Sequence, residues 1–449
     1  MAYGARMSRQ AFVGPMVVGM VLTASVAEAV QLEWTVGVSG AATARSGFPG
    51  DLARSEDGGV AVVTGDLSVV PAGEVALNFG ATRVSLGYSP NLFFREPLAK
   101  GPVLVLHNGR VGVTTRWQGG SFTFSETGAY GVTDINPLRV QEGTPATTVS
   151  NVQTVNVVPY LSSTTTATID QSLATRVRLG LSASYIMAGS LNSVDGGTPT
   201  ADPVTTPLPF SYGPSGTVAV TFIPSQADSL AASVQAMQAS FVNKRELVLI
   251  QAGLMWNRQF SSTFTTSLTV GAAMGHQRVC TAFEGQDYCE ATNLPSNWDP
   301  QLQKPGWTSW EVLPLLAAAA TGQIPIGLGS PIGLTASLRL APYADRITAA
   351  VYARLEGRLQ AEWSPVRTFV VRLGGGAGYA LQIYAADSQG GQQLYMGDAG
   401  VGWTPVEWFT LQLTGRAVWV ILPQQNPSRT FDWGATLTAA FRLRGSVSL

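Results

Sequence analysis

Residues 263–274 read Thr263-Phe264-Thr265-Thr266-Ser267-Leu268-Thr269-Val270-Gly271-Ala272-Ala273-Met274. The odd positions Thr263, Thr265, Ser267, Thr269 and Gly271 are small or polar. The even positions Phe264, Leu268, Val270, Ala272 and Met274 are apolar, with Thr266 as an interruption. A period of two puts these sets on opposite faces of a β-strand. Residues 176–185 repeat the device, with Val177, Leu179, Leu181, Ala183 and Tyr185 opposed to Arg178, Gly180, Ser182 and Ser184. Nearly every segment that follows the first thirty positions does the same. The pattern fits a soluble sandwich with a dry core, or a membrane barrel with lipid outside and a wet lumen.

Length and edges decide between the two. The alternating runs span about 10 to 18 residues, against about 5 to 6 in soluble domains, and so cross a bilayer at a tilt of about 45°. A sheet of long strands in lipid cannot leave an edge unpaired, so it must close. The runs fall near 32–45, 62–78, 82–95, 103–117, 120–133, 151–166, 173–188, 216–224, 229–242, 246–260, 263–275, 307–322, 330–341, 346–363, 366–384, 391–403, 406–422 and 430–445. They predict an all-β, closed antiparallel transmembrane barrel of about 18 strands (roughly 16 to 18) without a plug domain. Composition agrees: 12% of residues are charged, 45% are hydrophobic and 49 are Gly. The longest apolar run beyond the first thirty positions, 312–320, is interrupted by Pro314, whereas a spanning helix needs about 20 apolar residues.

Residues 1–29 have the pattern of a secretory signal: Arg6 and Arg9, an apolar stretch over 11–26, and the small-x-small site Ala27-Glu28-Ala29. The barrel is then expected over 30–449, in the outer membrane and in contact with its lipid. An even strand number places both termini in the periplasm and makes the odd-numbered connections extracellular. The long connections 46–61, 134–150, 189–215 and 276–306 are all odd-numbered. Gly80-Ala81, Gln118-Gly119, Ser261-Ser262 and Ser364-Pro365 are short and even-numbered. Little chain precedes the first strand, which leaves no room for a plug. Trp34, Trp117, Trp363, Trp403 and Trp408 fall at the short-turn strand ends, and Trp307, Trp310, Trp419 and Trp433 at the other ends. This is the placement of two aromatic girdles at the headgroup levels. Trp363-Ser364-Pro365-Val366 and Trp403-Thr404-Pro405-Val406 read as one girdle-plus-turn device used twice.

Little in the chain points to catalysis. A net charge of −1 gives no sign of a nucleic-acid partner. Cys280 and Cys289 are the only cysteines, and in an exported protein they are expected to form a disulfide. With His107 and His276 as the only histidines, no zinc set and no nucleophile motif is formed, so neither enzyme activity nor a metal or cofactor is expected. Gly374-Gly375-Gly376-Ala377-Gly378 lacks the Lys-Ser/Thr and helix of a phosphate loop, and more simply lets the strand bend or a neighbouring side chain lie against it. Arginine is the informative residue, at 24 against 3 Lys. Arg83, Arg116, Arg178, Arg339, Arg354, Arg358, Arg372, Arg416, Arg442 and Arg444 share the polar side of the alternation. Facing lipid at the midplane, each would cost about 2 to 4 kcal/mol, so they should point into the lumen. There they either brace the wall against carboxylates or favour anionic solutes and glycans. Loops 189–215 and 276–306 either fold inward to constrict the pore or lie on the surface.

The stretch Leu86-Gly87-Tyr88-Ser89-Pro90-Asn91-Leu92-Phe93-Phe94-Arg95-Glu96-Pro97, followed by Val105-Leu106-His107, resembles a segment of myxobacterial outer-membrane barrel proteins associated with exopolysaccharide export. The resemblance covers the first quarter of the chain in residues and the remainder in rhythm. It implies a translocation barrel for a secreted polysaccharide, with a glycan in the lumen and a periplasmic polysaccharide-export protein as partner. A general diffusion porin, and a structural or adhesion barrel, are the competing readings.

Overall fold

The computed structural model describes residues 30–46, 63–95, 103–134, 157–191, 210–242, 244–283, 286–299, 304–326, 330–345, 350–382, 391–421 and 429–448. The expected signal segment and all but the first residue of loops 46–61 and 134–150, with most of 189–215, lie outside these residues. The described strands form one closed antiparallel sheet with 18 staves. They are β1 Gln31–Ser46, β2 Val63–Phe79, β3 Thr82–Tyr88 resuming as Asn91–Arg95, β4 Val103–Trp117, β5 Gly120–Asp134 and β6 Val157–Ala174. Next come β7 Val177–Ser190, β8 Ser211–Phe222, β9 Asp228–Phe241, β10 Glu246–Ser261, β11 Phe264–Val279 and β12 Glu311–Ile324. The last are β13 Ile332–Asp345, β14 Ala350–Val366, β15 Phe369–Gln382, β16 Gln392–Val406, β17 Phe409–Ile421 and β18 Arg429–Ser448. Each pairs with its sequence neighbours, and β18 returns to β1 from Gln31↔Ser448 to Arg45↔Gly434. That last ladder closes the ring and leaves the sheet without a free edge strand, the condition that lipid imposes on backbone polar groups.

Leu86, Val218, Leu254, Leu338, Leu373, Leu413 and Leu443 are largely exposed and share one face through the strand registers. Glu126, opposite Val111 and Thr165, interrupts that apolar surface. The other face is the inside, because contacts between strands that are not ladder neighbours are made from it. Gln251 on β10 donates its amide to the carbonyl of Pro342 on β13 at 3.1 Å. Gln277 on β11 accepts from the backbone N–H of Val351 on β14 at 3.1 Å.

Several strand ends differ from the sequence expectation, each for a local reason. β6 runs on to Ala174 instead of stopping at Thr166. Thr168, Asp170 and Ser172 look like turn chemistry, but they alternate with Ala167, Ile169 and Leu173 and pair across to β7. β8 begins at Ser211, ahead of the expected 216, and includes Gly213 and Pro214. Its ladder to β9 skips those two, passing from Met237↔Ser215 to Ser240↔Tyr212, so the missing proline N–H is tolerated. Ser364-Pro365 is not a turn. In both Trp-Ser/Thr-Pro-Val repeats the register shifts, between Trp363 and Val366 and between Trp403 and Val406. The chain turns two residues later, and Val366↔Phe369 and Val406↔Phe409 close the two hairpins in the same way. Proline cannot donate to the ladder, so it sits in a bulge and delays the turn.

The closing seam has a tight point at Gly37, where a Cβ would lie 2.6 Å from the carbonyl oxygen of Phe441. At Gly40 the nearest atom would be 3.9 Å away. Gly37→Val is therefore expected to lower the temperature at which the folded form is lost on unboiled gels. Gly40→Val should leave that temperature close to wild type.

Candidate functional site in the barrel interior

The interior is built by the strand alternation itself. Starting from Thr43 opposite Asp66 and Thr436, the registers carry one set of residues around the ring to the same inner face. Arg83, Arg116, Arg178, Arg339, Arg354, Arg358, Arg372, Arg416, Arg442 and Arg444 all belong to this face. Arg45 and Arg110 belong to it as well. Those two were legible in the sequence, since Arg45 follows the parity of Thr35, Ser39 and Thr43, and Arg110 that of Asn108 and Thr114.

The arginines divide by what they touch. Arg83 pairs with Glu33 and Arg110 with Glu74. Arg354 Nη2 lies 3.1 Å from Glu356, Arg358 Nη2 3.1 Å from Asp398, Arg372 Nε 2.7 Å from Glu362, and Arg444 Nη2 3.6 Å from Glu407. Arg45 Nε donates to Asp66 at 2.8 Å, with side-chain exposures of 0% and 2%. Arg354 and Glu356 lie on the same strand, β14; the other pairs tie a strand to a nearby stave or, for Arg444, to the turn between β16 and β17. Arg116, Arg178, Arg339 and Arg442 are solvent-exposed and form no ion pair among the described residues. Bracing thus accounts for one group of arginines and not for the other.

The glycines of β15 make room for this network. Gly374 and Gly376 face inward opposite Gln360 and Arg358. A Cβ on Gly374 would stand 2.6 Å from Asp398 Oδ2, the residue that accepts from Arg358. The run is a floor for neighbouring side chains, as its place within a strand implied.

Charge is confined to part of the circumference. The inner faces of β8 to β11 carry Thr217, Ser233, Gln235, Gln251, Ser267 and Thr269 with alanines and apolar residues, and no charged side chain among the described residues. The inward ion pairs and the four inward arginines without one lie on other staves, while Arg258–Asp228 and Arg278–Glu246 on β9 to β11 have the outward parity. The interior therefore carries fixed charge over most of its circumference and only hydroxyls, amides and apolar groups along β8 to β11.

The other residues singled out in the sequence lie at the rims or on the outer face. Trp34, Trp117, Trp403 and Trp408 are exposed at the short-turn end, and Trp307, Trp310 and Trp419 at the other end. Trp363 and Trp433 are half-buried. Trp256, which the sequence reading missed, joins the short-turn group and donates to Asp228 at 3.2 Å. His276 is on the outer face, stacked on Trp307 at 4.5 Å and on Trp310 at 4.6 Å. His107, also outward, meets the Tyr88 hydroxyl at 2.6 Å through Nδ1. Cys280 and Cys289 are bridged. The described part of loop 276–306 folds on itself, pairing Thr281–Phe283 with Gln286–Tyr288 and placing Trp298 against Phe283 and Tyr288 at 5.2 and 5.6 Å.

A closed sheet that is apolar outside and charged or hydroxyl-lined inside defines an outer-membrane β-barrel of the channel class. The chain belongs to the EpsX exopolysaccharide export family, whose model matches residues 33–447. Among solved structures it is similar to the FrpB iron transporter of Neisseria meningitidis, at 7% identity and a TM-score of 0.50, covering 93% of this chain and 82% of that one. It is also similar to OccK2 (OpdF) of Pseudomonas aeruginosa in complex with glucuronate, at 9% identity and a TM-score of 0.46, covering 94% and 98%. At these identities the likeness to FrpB concerns the fold alone. No curated protein matches the sequence.

The buried Arg45–Asp66 pair gives a clean test of the wall. Arg45→Ala strands a carboxylate and is expected to cost about 3 to 5 kcal/mol, read by urea titration of the detergent-refolded barrel. The double replacement Arg45→Met with Asp66→Leu should recover most of that loss.

Proposed function

We propose that the barrel conducts a secreted polysaccharide across the outer membrane from a periplasmic export protein seated against its short-turn end, with an anionic glycan favoured in the lumen. The observation that carries this reading is the export-family match along 33–447, joined to a closed sheet with a polar interior. Orientation follows from turn length. The connections 80–81, 118–119, 175–176, 262–263, 367–368 and 407–408 are tight, whereas the opposite end holds 280–310 and the chain between β5 and β6. In barrels of this type the short turns face the periplasm, which also puts both chain ends there. Tight turns offer little surface for handling a polymer, so delivery to that mouth falls to a partner.

The four unpaired arginines support the preference for anions. Arg116 and Arg178 stand beside short turns, Arg442 stands in the same half of β18, and Arg339 is at mid-strand. A cation inside a low-dielectric wall raises the local concentration of anions and repels cations.

Deletion of the chain is expected to remove surface polysaccharide while uptake of small solutes stays unchanged; a diffusion porin would give the opposite pair of results. In planar bilayers the purified barrel should show anion preference at low salt. Arg116→Glu, Arg178→Glu, Arg339→Glu and Arg442→Glu combined should move the reversal potential toward cations. Arg358→Gln, which removes a brace, should move it much less. Cation preference of the unaltered barrel at low salt would refute the assignment to anionic glycan.

A further inference from the structure

The ladder between β12 and β13 runs from Ile324↔Ile332 to Leu316↔Leu340 and stops. Yet β12 extends back to Glu311 and β13 on to Asp345. At the same register the next opposed positions are Leu315 with Ala341, then Pro314 with Pro342. Neither proline has an N–H to give, so the opposed pair cannot close a rung. Beyond this point β12 pairs only with β11, through Pro314↔Ala272 to Glu311↔Gly275. β13 and β14 stay paired to each other, through Pro342↔Ala353 and Tyr343↔Tyr352.

The released ends lean into the barrel. Lower on β13, Leu338 belongs to the outer stripe and is 55% exposed. Pro342 continues that stripe and Val351 lies on the same face of β14, but Val351 is 0% exposed and Pro342 is fully buried. Val351 sits in a dry cluster with Ala239, Phe241, Leu247, Leu249 and Ala273, which are inner-face residues of β9, β10 and β11. A face that meets lipid further down thus meets the inside of the neighbouring wall here. Gln251 and Gln277 fasten it through the Pro342 carbonyl and the Val351 N–H. The stacked rings of Tyr343 and Tyr352, 5.5 Å apart, keep the two strand ends together.

We propose that residues 341–343 and 351–352 form a gate that narrows the passage near its long-loop end and swings back into the gap beside β12 when polymer passes. The proposal rests on the reading of the barrel as a passage. Opening breaks no rung between β12 and β13, because the opposed prolines leave none at that position to break. It releases the hydrogen bonds to Gln251 and Gln277 and returns Pro342 and Val351 to the outer stripe, where their chemistry fits lipid. A wall with no proline at this register would zip to its end and have nothing to move.

Two independent variants test this. Val351→Asp places a carboxylate in the dry cluster; Gln251→Ala with Gln277→Ala removes the fastening and leaves the cluster intact. Each is expected to raise single-channel conductance by about twofold or more over wild type, as relief of an apolar constriction should. Heat-modifiability on gels establishes that each variant is folded. Folded variants that both conduct as wild type would overturn the gate. The same alleles, placed in a strain deleted for the chain, separate this inference from the one beneath it. If deletion abolishes surface polysaccharide but both variants match wild-type conductance, the gate alone fails. If deletion leaves the polysaccharide in place, the passage reading fails, and with it the gate for this cargo.

Discussion

Hydrocarbon offers no partner to a peptide N–H or carbonyl, and everything else in this molecule follows from that refusal. An extended chain in such a medium must lend each strand's polar edge to a neighbour, and the last strand must return to the first. β18 does so along nearly the whole of β1. Once the sheet has closed, side chains of one parity face lipid and those of the other face a confined interior, so the same two-residue rhythm that folds the chain also sorts its chemistry.

That rhythm makes the architecture readable from the order of the amino acids. The staves and the face of every arginine singled out were legible because period-two alternation survives small errors in strand ends. What was not legible was register detail near prolines. Pro214, Pro365 and Pro405 each read as a break, and each proved to be absorbed within a strand by a skipped rung or a bulge. Whether a proline ends a strand depends on which neighbour its missing N–H would have faced, and that is a property of the pair of strands. Opposition of Pro314 to Pro342 was out of reach for the same reason, since neither residue announces its partner.

Sequence also could not apportion the arginines. Composition left two explanations open, bracing or selectivity, and the structure supports a division of labour. Arg45, Arg83, Arg110, Arg358, Arg372 and Arg444 are held by carboxylates on nearby staves or turns, and Arg354 by Glu356 of its own strand. Their energetic role is mostly local, because a pair neutralises its own field. Unpaired cations keep theirs, so the proposed preference for anions rests on a minority of the basic residues.

The absence of inward charge along β8 to β11 among the described residues makes the bore chemically uneven around its axis. A chain threading the bore therefore meets fixed charge on most bearings and only hydroxyls, amides and apolar side chains along β8 to β11, so its surroundings differ from one flank to the other.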